Sequence, residues 1–137
     1  MGKDVSRTCP CLREAVIEMR KAHAYRVIID QLVAVCRDGQ GQIGSRRALA
    51  GVWNPHADAA SAPDQHAINE LLARLSVADR DVVARMLARA FEGGVFETLK
   101  MLESHSVVPF EDGYEGGPYH DFVGRLAGDW DWPDDAG

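Results

Sequence analysis

Two helix-start signatures stand close together in "SAPDQHAINELLARLSVADRDVVARML": Ser61 with Asp64, then Ser76 with Asp79. In such a capping box the serine oxygen takes a backbone N–H that the first helical turn leaves unpaired, and the acidic residue three positions on returns the favour. Between the boxes, Ile68, Leu71, Leu72 and Leu75 recur at helical spacing and form one apolar face. After the second box, Val83, Leu87, Ala90, Phe91, Gly94, Thr98, Leu99 and Leu102 keep the same phase. The link between the two runs is too short for anything but a tight turn, so the helices must fold sharply against each other.

Helical periodicity extends over most of the rest. From Thr8 to Cys36, with Thr8 as N-cap and Asp38-Gly39 as stop, Leu12, Val16, Met19, Ile28, Ile29, Leu32, Val33 and Cys36 recur every three or four residues. The stripe blurs from Lys21 to Ala24, which leaves one helix or two. "GPYHDFVGRLAG" reads as a short helix with Gly117 as N-cap, Pro118 at the first position, Gly128 after the end, and Phe122, Val123 and Leu126 facing inward. The expectation is an all-α, single compact domain spanning residues 1–137. It has four to five helices, a flexible start at 1–8, a tail at 129–137 and one long irregular connection at 39–60 that holds one short element near Arg46 to Val52. A chain of 137 residues is long enough to bury a core without disulfides or metals.

Glycines punctuate this pattern in two places. Gly93-Gly94 falls inside the long helical run, where each glycine costs about 1 kcal/mol relative to alanine. The expectation is a continuous helix with another helix or chain passing close over Gly94; a bend is the alternative. Gly39, Gly41 and Gly44 match G-x-G-x-x-G, but that fingerprint serves a dinucleotide only between a strand and a helix. "VIIDQLVAVC" before it repeats at helical spacing, so these glycines are read as turn residues.

Charge is distributed unevenly. The chain carries a net −6, with net +3 over residues 1–63 and net −9 over the remainder; from Glu103 onward one basic residue, Arg125, faces nine acidic ones. This argues against general affinity for nucleic acid or anionic membranes and for an acidic face suited to a basic partner. Three cysteines, Cys9, Cys11 and Cys36, make a poor disulfide framework and read as free thiols. No apolar run reaches the roughly 20 residues of a membrane span, and the N-terminus lacks the apolar core of a secretory signal, so a cytoplasmic address is expected.

The chemistry-bearing residues crowd near the end. Glu115, His120 and Asp121, within reach of Glu111 and Asp112, are the candidates for a metal or acid–base site; His66 and Glu70 form an i, i+4 pair. No H-E-x-x-H or E-x-x-H pair accompanies them, and neighbours at 120 and 121 point about 100° apart on a helix. No cofactor or metal is therefore expected. Tyr114, Glu115, Asp129, Trp130, Asp131 and Trp132 form the candidate binding surface. The two tail tryptophans either anchor a partner or strap the core, with Asp129, Asp131, Asp134 and Asp135 left in solvent. Burial of at least one tryptophan is expected, because so small a domain needs its aromatics.

"YRVIIDQLVA", "VWNP", "INELLARLSVADRDVVARML", "FEGGVFETL" and "YEGGPYHDFVGRL" with the closing "WDWP" resemble a small bacterial family of uncharacterised helical proteins, from about Tyr25 to Pro133. The resemblance implies a single bacterial cytosolic domain and brings no catalytic residue with it. The leading functional expectation is a non-enzymatic protein-binding module, of inhibitor or immunity type, whose acidic aromatic C-terminal face meets a basic protein; a homodimer is compatible with it. The competing expectation is a metal-dependent hydrolase or other enzyme built on Glu115, His120 and Asp121.

Overall fold

The computed structural model describes residues 10–111 and 113–133. The expected Thr8 cap, the flexible start, Cys9, Asp112, Asp134 and Asp135 lie outside the described residues, as do the side chains of Cys11, Leu12, Val16 and Met19. All regular structure among the described residues is helical: α1 (Pro10–Arg37), a single 3-10 turn (Gln40–Gln42), α2 (Ile43–Ala50), α3 (Pro63–Arg74), α4 (Val77–Ser104) and α5 (Pro118–Ala127). The all-α expectation is met. None of these helices is long and apolar enough to cross a membrane. The chain falls into two compact units, Met1–Gln31 with Leu99–Gly137, and Leu32–Thr98.

In the Leu32–Thr98 unit, a core of Ala48, Leu72 and Ala84 is covered by Trp53, Ile68, Leu75, Val83 and Leu87. The serine half of the Ser76 box forms, with Ser76 Oγ accepting the Asp79 N–H at 3.1 Å, while the Asp79 carboxylate accepts the Ser76 hydroxyl at 2.7 Å. The Ser61 box does not form. Pro63 takes the first helical position of α3, Ala62 precedes it without a side-chain cap, and the N–H groups of Ala60 and Ser61 both go to Asp58 Oδ1, at 2.8 and 2.7 Å. The Ser61 N–H above all holds the Asp58 carboxyl below its ordinary range. An aspartate turn three residues upstream thus takes the Ser61 N–H that the box would have given to Asp64.

The first half of the region read as a 39–60 connection is helical. Residues 40 to 50 form the 3-10 turn and α2, and the irregular part covers 51–62. Ser45 Oγ donates to the Ala84 carbonyl at 2.7 Å, which explains a buried polar residue in α2. Gly41 is there because nothing larger fits: a Cβ would stand 2.6 Å from the Phe91 ring and 2.9 Å from the Val35 carbonyl oxygen. Asn69 secures the loop before α3, its side chain accepting the N–H groups of Trp53 (2.6 Å) and Asn54 (3.2 Å) and donating to the Asn54 carbonyl (2.7 Å).

α1 and α4 are each continuous, through Lys21–Ala24 and through Gly93-Gly94 respectively. Within the chain no helix passes close over Gly94: among the described residues, no atom beyond its own helix backbone lies within 4 Å of where its Cβ would be, and the same holds for Gly93. Both glycines face outward on an open stretch of helix.

In the other unit, Tyr25, Ile29, Leu99, Phe110, Phe122 and Trp132 are buried. Helix α5 begins and ends where glycine and proline predict, with Gly117 before Pro118 and Gly128 in the left-handed region after Ala127. Gly117 has φ +132°, and a Cβ on it would meet the Glu103 carboxylate at 2.8 Å, so both backbone conformation and space demand glycine. Val123, expected to face inward, is instead 45 % exposed, since the buried stripe of α5 runs through Pro118, Asp121 and Phe122.

Candidate functional site

In the unit of Met1–Gln31 with Leu99–Gly137, most of the described aromatic side chains gather with a few charged ones into one cluster. Its parts come from α1 (Tyr25, Arg26, Asp30), the segment between α4 and α5 (Phe110, Tyr114), α5 (Asp121, Arg125) and the tail (Trp130, Asp131, Trp132). Four-residue steps from Tyr25 to Ile29 to Val33 put the tyrosine on the buried stripe of α1. The neighbouring phase carries Arg26 and Asp30.

Asp121 is the buried charge of the cluster, 2 % exposed. The Tyr25 hydroxyl donates to its Oδ2, the Tyr114 N–H reaches the same oxygen at 2.9 Å, and the Glu115 N–H reaches Oδ1 at 3.3 Å. Three donors compensate the desolvation that would otherwise forbid a carboxylate here. Burial, and then the bond and charge of Asp121, push the Tyr25 phenol far above its ordinary value, so it stays a neutral donor. Asp121 is thereby committed to holding the loop that bears Tyr114 and Glu115.

Around this bond the aromatic rings form a continuous set. Tyr25 stacks on Tyr114 with centroids 6.4 Å apart, and meets Phe110 and Trp132 edge-on at 6.1 and 5.9 Å. Trp132 also meets Tyr114 at 5.5 Å and Trp130 at 4.9 Å. Two guanidinium groups lie against these rings. Arg26 stands 4.4 Å from the Tyr114 centroid and 5.2 Å from that of Trp132, and donates to the Tyr114 hydroxyl at 2.5 Å. Arg125 lies 5.8 Å from the Trp132 ring.

Asp30 ties helix and tail together. Its Oδ2 accepts the Trp132 indole N–H at 2.9 Å, and its Oδ1 accepts Arg125 Nε at 2.9 Å. Arg125 Nη1 then reaches the Trp130 carbonyl at 3.1 Å and the Asp131 carboxylate at 2.9 Å. The Asp30 hydrogen bond raises the Arg125 pKa further, so the guanidinium is a permanent charge in the clamp.

The expected binding residues are therefore divided by burial. Trp132 is 3 % exposed, as the need for core aromatics predicts, and Trp130 is half-buried against it. Tyr114 is at the margin of exposure; Glu115, Asp129 and Asp131 are exposed, although Asp131 is paired with Arg125. The expected enzyme cluster does not assemble around a common point. Asp121 is turned into the core, while His120 is exposed beside the Tyr119 ring, 4.4 Å between centroids. Among the described residues no group of three or more His, Cys, Asp or Glu side chains is arranged to hold a metal ion. The His66–Glu70 pair forms at 3.6 Å on α3.

Tyr25, Arg26, Asp30, Phe110 and Arg125 belong to the cluster and escaped the sequence reading. For Tyr25 a signal existed, because it sits four residues before Ile29 in the same apolar phase. For Asp30 none did, since its partners Arg125 and Trp132 lie 95 and 102 positions away, and the same distance hides the Asp30 end of the Arg125 clamp. No curated protein and no solved structure matches the chain. A family model does, over residues 18–134, a span that takes in every member of the cluster, and the chain thus belongs to the family of unknown function DUF6547.

Proposed function

We propose that this chain is a non-enzymatic protein-binding module that offers an acidic, aromatic C-terminal face to a basic protein. The observation that carries this reading is the fate of Arg125. From Glu103 to the end it is the only basic residue, and it is engaged by Asp30 and Asp131, while the side chains of Glu115 and Asp129 stay exposed. Tyr114 and Trp130 add partly exposed ring surface beside those carboxylates. Such a combination favours cationic partners: carboxylates steer them in, and ring faces bind guanidinium and ammonium groups.

An inhibitor or immunity-type role is the form of binding module we favour, since a small acidic domain that blocks a basic protein needs no chemistry of its own. A cytoplasmic setting is part of the same proposal and rests on the odd cysteine count and on Cys36, a buried free thiol that burial keeps protonated. The test is a comparison of the full chain with Glu115→Gln/Asp129→Asn in binding to a basic partner across salt concentrations. Loss of association in the double variant supports the reading; equal binding at every salt concentration refutes it.

A further inference from the structure

Trp132 is almost completely buried although it lies on a non-helical tail beyond Gly128. The bonds that hold this tail come from side chains of the body. Asp30 takes the indole N–H, Arg125 takes the Trp130 carbonyl and the Asp131 carboxylate, and Tyr25, Tyr114 and Arg26 wall the indole ring. Each feature of the occupant is read separately: aromatic bulk by the rings, an N–H donor by Asp30, a preceding carboxylate by Arg125. Recognition of this kind does not require a covalent tether, and pockets that bury a tryptophan commonly dominate peptide interfaces. Gly128, in the left-handed conformation at φ +81°, gives the tail a natural point of departure from α5.

We propose that this slot is a peptide-recognition site for an extended, acidic, tryptophan-bearing segment of a partner, and that the chain's own tail fills it as a replaceable occupant. The inference concerns what the slot accepts and not what the outer carboxylates attract, and its peptide readout does not depend on a basic partner. The tethered tail competes at an effective concentration on the order of millimolar, so a free segment binds weakly until the tail is loosened.

The experiment uses the full chain and a labelled peptide Asp-Trp-Asp-Trp-Pro, the sequence of residues 129–133, with fluorescence anisotropy as readout. Trp132→Ala vacates the slot, and Asp131→Lys repels Arg125 and loosens the tail while leaving the slot walls intact. Both variants should bind the peptide at least tenfold more tightly than the wild-type chain, and a peptide with its second tryptophan replaced by alanine should bind none of the three. Should Trp132→Ala fail to fold, Asp131→Lys decides the matter alone. Equal peptide affinity for variant and wild-type chains, or no binding to a variant that circular dichroism shows to be helical, overturns the proposal.

Discussion

The Trp132 indole N–H reaches Asp30 at 2.9 Å, across 102 positions of sequence, and the same carboxylate holds Arg125 through its other oxygen. One acidic residue on α1 therefore fixes both α5 and the tail that follows it. Removing the occupant should be expensive: Trp132→Ala is expected to lose about 3 to 5 kcal/mol of stability, as buried aromatic deletions do. Trp132→Phe keeps much of the ring and loses the N–H, so its denaturant midpoint should fall between those of the wild type and the alanine variant.

The Tyr25–Asp121 bond makes stability sensitive to alkali. The folded pKa of Tyr25 lies above its unfolded value, so the neutral phenol's contribution is complete below pH of about 10. It declines as pH rises from there toward the folded value. Urea midpoints should therefore begin to drop above pH of about 10 for the wild type. Tyr25→Phe should be less stable by about 1 to 3 kcal/mol at neutral pH, having left a buried carboxylate one donor short, and should show a flatter alkaline decline.

Gly94 faces open space on a regular helix, so alanine there should stabilise the fold by about 1 kcal/mol. A rise in thermal midpoint with unchanged oligomeric state checks this. A loss of stability would instead reveal a neighbouring chain packed over that face.

Asn69 is expected to matter more than a half-buried polar residue usually does. Its three bonds to the backbone of Trp53 and Asn54 define the entry to α3, and Asn69→Ala should cost about 2 to 3 kcal/mol by leaving those groups unsatisfied. Faster hydrogen exchange confined to the 51–62 segment should accompany the loss.

How far the sequence disclosed this arrangement depended on the range of the forces involved. Local rules found α5 to the residue, because Gly117, Pro118 and Gly128 act on their own backbone. They found the Ser76 cap and missed the aspartate turn at Asp58, where Asp58 and Asp64 compete for the Ser61 N–H. They placed a tryptophan in the core from the simple scarcity of aromatics. Helical phase could not tell that Gly94 lies open, since a glycine keeps the apolar stripe in register without showing what covers it. Nor could it find Asp30 and Arg125, whose meaning comes only from partners that folding brings to them.

The binding reading is tested most directly by immobilising the full chain and Glu115→Gln/Asp129→Asn at equal density and exposing both to lysate of the source cells. Because both carboxylates are exposed, the double variant should match wild-type stability to within about 0.5 kcal/mol. The wild-type chain should retain a basic protein that moderate salt releases, and the double variant should retain several-fold less of it. With that protein purified, the difference should appear mainly in the association rate and shrink as salt rises. Identical proteins retained by both chains, released at identical salt, would contradict an acidic face as the site of binding.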